Sequence, residues 1–68
     1  MGEVFHVGQR VRLRMDALGH RAGETGRVAR VESKRQSGAR VVFYCCAMDA
    51  AAGRRLAPFF PDEIEPLD

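Results

Sequence analysis

From Gln9 to Met15 the chain alternates without a fault: Arg10, Arg12 and Arg14 are separated by Val11, Leu13 and Met15. Successive side chains of a strand point to opposite faces, so this stretch reads as a half-buried strand with one apolar and one cationic side. A helix would scatter the same apolar residues around its axis. A half-buried strand needs partners to cover it, and a chain of 68 residues has room for only one core. Residues 1–68 are therefore predicted to form a single domain.

Other strands follow along the chain. Gly26 to Glu32 is a second candidate, in which Val28 and Val31 lie three apart and cannot share a face of a regular pleat. A bulge or strong bend resolves that conflict, and Gly26 suits a place of close backbone approach. Ala39 to Ala47 holds Val41, Val42, Phe43 and Tyr44, a β-branched and aromatic run expected to be the most buried strand. Arg54 to Pro58 resumes an extended pattern, and Ile64 to Leu67 gives a last short strand that Pro66 confines to an edge.

Between these, Asp16 to Glu24 reads as a loop with room for one helical turn near Asp16 to Leu18. Ser33 to Gly38 reads as a polar hairpin loop, and Asp49 to Gly53 as a further loop. Pro61-Asp62-Glu63 has the composition of a first helical turn, with an imide that needs no partner and carboxylates facing the positive end of the dipole. The length permits one 3₁₀ turn. The prediction is an all-β fold: a five-stranded, strongly bent antiparallel barrel with one short 3₁₀ turn before the last strand.

Three stretches carry a resemblance: Val7 to Leu13, Gly23 to Val31 and Phe60 to Leu67. They resemble the opening, middle and closing signatures of SH3-like barrels and together run across nearly the whole chain. The resemblance implies two kinds of relative. KOW-type modules of ribosomal and transcription proteins bind RNA or proteins, and small SH3-like accessory subunits of electron-transfer complexes work by docking. The motifs specify the fold and leave the activity open.

Charge and thiols narrow the chemistry. Residues 1–61 hold all 11 basic residues against five acids, and residues 62–68 add four acids more. A basic body with an acidic end either steers an anionic partner or pairs internally. The longest apolar run, Val41 to Met48, is far too short to span a bilayer, and no export signal is recognisable, so a cytoplasmic setting without membrane contact is expected. Cys45 and Cys46 are adjacent, which excludes an ordinary disulfide and predicts one core thiol and one partly exposed thiol. His6, His20 and Met48 show no metal-ligand spacing with them. No catalytic constellation is recognisable, the histidines read as surface residues, and neither enzyme activity nor a cofactor or metal is expected.

Two binding readings remain, with a thiol or metal sensor at Cys45-Cys46 as a weaker third. In the first, the chain docks onto a protein partner or a second copy of itself. Four phenylalanines are hard to bury in one small core. Adjacent Phe59 and Phe60 should point in opposite directions, and with Tyr44 they form the candidate docking residues. In the second, RNA or DNA binds an arginine-lined strand face. Arg10, Arg12 and Arg14 recur at about 6.6 Å, near the spacing of phosphates in an extended strand. Arg27, Arg30 and Arg40, with Arg54 and Arg55, would extend that face, and Tyr44 or an exposed Phe would stack on a base.

Overall fold

A computed structural model describes residues 4–50 and 55–67. Five strands form one antiparallel sheet: β1 (Arg10–Leu13), β2 (Thr25–Gln36), β3 (Ala39–Met48), β4 (Ala57–Phe59) and β5 (Ile64–Pro66). The 3₁₀ turn expected at Pro61-Asp62-Glu63 lies at those three residues, between β4 and β5. The strand order is β4-β3-β2-β1-β5, an open arrangement with no ladder joining β4 to β5 among the described residues.

The alternation in β1 has the consequence expected of it, because Val11 and Leu13 are fully buried while Arg12 is exposed. Met15 departs from the pattern at 44 % exposure, since the strand ends at Leu13 and the chain bends away. The Val28/Val31 conflict is met by a bulge: Val28 pairs with Cys46 and Arg30 with Cys45, leaving Ala29 as the extra residue. Val28 enters the core and Val31 stays 42 % exposed.

One core takes residues from every strand: Val11, Leu13, Val28, Tyr44, Cys46, Met48, Phe59 and Ile64, with Phe5 folded onto it from the N-terminal segment. Its neighbour Val4 is exposed. Phe59 and Ile64 sit on the two opposite edge strands yet share this cluster. In a flat sheet four strand spacings would separate them by about 19 Å. Four residues, three of them in the 3₁₀ turn, carry the chain from β4 to β5, and Phe59 and Ile64 are both fully buried in the one core.

Two loop expectations need correction. Ser33 to Gly38 is mostly strand: β2 runs to Gln36 and the hairpin turns on Ser37-Gly38 alone, with φ of 53° and 80°. Backbone pairing sustains this arm although residues 33–40 are all exposed, which is why apolar patterning did not reveal it. Asp16 to Leu18 makes no helical turn; Ala17 and His20 exchange backbone hydrogen bonds of 2.9 and 2.8 Å around a second two-residue turn at Leu18-Gly19. The Asp49 to Gly53 loop begins as a turn at Asp49-Ala50, and its residues 51–53, with Arg54, lie outside the described residues.

Candidate functional site

The adjacent aromatic residues at the end of β4 separate as a strand requires. Phe59, paired with Tyr44, is 0 % exposed, and Phe60 is 42 % exposed. Phe60 keeps extended backbone angles and caps the 3₁₀ turn, its N–H donating to Glu63 Oε1 at 2.8 Å while Glu63 N–H returns to its carbonyl at 3.0 Å. The outward ring is thus held by backbone geometry in an exposed place.

Phe60 borders an apolar groove of about 320 Å³, lined by Leu18, Lys34, Phe43, Pro58, Phe59 and Phe60. Four separate parts of the chain build it. Pairing of Cys45 with Pro58 puts Phe43, two residues before Cys45, on the same sheet face as Pro58. Lys34 lies on that face of β2, its Nζ 5.9 Å from the Phe43 ring centroid. Leu18, 62 % exposed, comes from the tip of the β1–β2 loop.

That loop is fixed by its own side chains. Glu24 accepts from Arg21 N–H at 2.7 Å and lies 3.0 Å from His20 Nδ1, and Asp16 accepts from Ala22 N–H at 2.8 Å. The Arg21 N–H first, then His20, hold the Glu24 carboxyl below its ordinary pKa. His20 is half-buried, its ring edge-on to Phe59 at 6.1 Å, so it anchors the loop rather than forming open surface as expected; His6 is exposed.

Tyr44, expected among the docking and stacking residues, is instead buried in the core. It is 3 % exposed, packs edge-on against Phe5 with centroids 5.2 Å apart, and its hydroxyl accepts from Phe5 N–H at 3.4 Å. Leu18, Lys34, Phe43 and Pro58 are the groove residues that sequence reasoning missed. The signal for Phe43 was present: the logic that splits Phe59 from Phe60 also splits Phe43 from Tyr44.

The arginine face is partly paired from within. Arg10 donates to Asp49 through both terminal guanidinium nitrogens, at 2.9 and 3.1 Å, and this contact first, with Thr25, depresses the Asp49 pKa. Arg12 pairs with Glu65, and Arg14 reaches the same carboxylate at 3.9 Å. Arg27 donates to the Gly8 carbonyl at 2.7 Å, and Arg30 pairs with Glu32. Arg40 does not extend the face: it lies on the hairpin arm, donating to Ser33 Oγ at 3.2 Å. Arg55 is exposed.

Both thiols are buried, which corrects the expectation of an exposed one. Cys46 lies in the core, and burial first, then Cys45, raises its pKa to about 11. Cys45 occupies the opposite face at 5 % exposure, its Sγ 3.7 Å from Glu32 Oε2. Among the described residues no three His, Cys, Asp or Glu converge as metal ligands, and no helix is long and apolar enough to cross a membrane. Compared with known proteins, the chain matches no family model, no curated protein and no solved structure.

Proposed function

We propose that this chain is a non-catalytic SH3-like module that docks onto a protein partner through the groove around Phe60. The observation that carries the reading is the split of Phe59 from Phe60. One ring fills the core while its neighbour stands half-exposed beside Phe43, Pro58 and Leu18, a rigid aromatic anchor next to an apolar depression. Support for an SH3-like arrangement comes from the antiparallel strand order, the burial of Phe59 and Ile64 in one core, and the 3₁₀ turn between β4 and β5.

The nucleic-acid reading has weaker support. The three arginines that motivated it face Asp49 and Glu65, so a phosphate would compete with carboxylates already in place. The thiol-sensor reading is weaker still, because both thiols are buried, and burial raises the pKa of Cys46, which makes it a poor nucleophile.

A random twelve-residue peptide display library panned against the immobilised protein tests the docking reading. Enriched peptides are expected to shift the backbone amide resonances of Phe43 and Phe60 and to lose binding in Phe60→Ala. No enrichment, or enrichment equal on Phe60→Ala, overturns it.

A further inference from the structure

β4 covers only part of the outer edge of β3. It pairs with Tyr44, Cys45 and Cys46, so the backbone of Ala39 to Phe43 on that side meets no strand among the described residues. An edge strand presents a row of N–H and C=O groups ready to pair. This open segment leads directly to the groove, since Phe43 lines it.

The two faces flanking the open edge differ. Val41 and Phe43 lie on the groove face with Lys34, whereas Arg40 and Val42 lie on the other face, where Arg40 is paired in register with Arg35. Two like charges placed directly opposite each other repel and gain from an anion between them. Residues 33–40 contain three cations and no acid, and the nearest carboxylate, Glu32, is engaged by Arg30.

Building on the docking reading, we infer that the partner is an acidic, extended segment of another protein that adds as a strand to the open edge of β3. Its apolar residues lie against Val41, Phe43 and Phe60, and its alternating carboxylates meet Arg40 and Arg35. Strand addition of this kind takes affinity from main-chain hydrogen bonds and specificity from alternate side chains. A second copy fits poorly, because pairing β3 with itself would bring two Arg35/Arg40 pairs together. Nucleic acid would satisfy the charges but leave the main-chain groups and the groove face unused.

Fluorescence anisotropy with three labelled twelve-residue peptides tests this: one alternating Glu with Val, its Gln-for-Glu counterpart, and the Glu peptide N-methylated at alternate residues. The Glu peptide should bind and perturb the amides of residues 39–43. N-methylation, which removes several main-chain bonds, should weaken it by about tenfold or more. The Gln peptide, and separately the Arg35→Glu/Arg40→Glu variant, should each weaken binding by about tenfold. Both substituted side chains are exposed, so the fold is spared.

Equal binding of the N-methylated peptide overturns strand addition, and equal binding of the Gln peptide overturns the acidic partner. Single-stranded RNA or duplex DNA displacing the Glu peptide from residues 39–43, or concentration-dependent self-association through them, assigns the edge to a different occupant and also overturns the inference. Display-selected peptides that bind through Phe60 while the Glu peptide fails leave the docking reading standing and sink this one. Failure of both leaves neither.

Discussion

Arg12 and Glu65 stand directly opposite each other across the β1–β5 ladder, and Arg12 Nε donates to Glu65 Oε2 at 2.9 Å. The acidic end of the chain thus answers the cationic face of β1. Arg12→Glu should lower stability by about 0.2–1 kcal/mol, because it sets like charges opposite each other. Combining it with Glu65→Arg should recover most of the loss, as urea unfolding midpoints would reveal. An unchanged midpoint in the single variant shows that the pair contributes nothing.

Phe59 and Phe60 should respond very differently to the same truncation. Phe59→Ala empties a fully buried site and is expected to cost about 3–5 kcal/mol, enough to unfold much of a domain this small. Phe60→Ala should leave the thermal midpoint nearly unchanged. Circular dichroism melts of the two variants compare them directly, and a large loss for Phe60→Ala would mean that its ring holds the fold rather than presenting a surface.

Gly26 lies against β3 so closely that a side-chain carbon there would meet Met48 Sδ at 2.6 Å, the Ala47 carbonyl oxygen at 2.8 Å and Met48 Cα at 3.0 Å. Methionine can move, but the backbone of β3 cannot without breaking its ladder. Gly26→Ala is therefore expected to destabilise by about 1–3 kcal/mol through overpacking. A midpoint equal to that of the wild type would show that β3 gives way freely.

Cys46 makes the fold sensitive to alkali. Below pH 9.0 the thiol is protonated in both folded and unfolded chains; between 9.0 and about 11 the unfolded chain releases its proton while the folded chain retains it. The unfolded state then binds fewer protons, so stability falls as pH rises across that window. Cys46→Ala should flatten the dependence while lowering stability overall. Urea unfolding at stepped pH checks both, and an equally steep alkaline loss in the variant would place its origin elsewhere.

Much of this architecture was legible wherever burial imposes a pattern. The alternation of Val11 and Leu13 identified β1, the three-residue offset of Val28 and Val31 implied the bulge, and Pro61-Asp62-Glu63 fixed the 3₁₀ turn. The hairpin arm was not legible, because strands that pair outside the core need no apolar residues, and Ser33 to Gln36 carry none. In the candidate site, opposite orientation of Phe59 and Phe60 followed from adjacency alone. Which ring of Phe43-Tyr44 faces inward depends on register with β4, and Leu18 reaches the groove only through the fold of its loop. The cationic side of β1 was legible, but its pairing with Asp49 and Glu65 joins residues 39 and 53 positions apart.

In the proposed docking function, binding runs through Phe60 rather than through the arginines of β1. Anisotropy of a display-selected peptide against wild type, Phe60→Ala and Arg12→Glu tests it most directly. Binding lost in Phe60→Ala and kept in Arg12→Glu is the predicted result. Binding kept in Phe60→Ala and lost in Arg12→Glu would contradict the account and return the function to the cationic face.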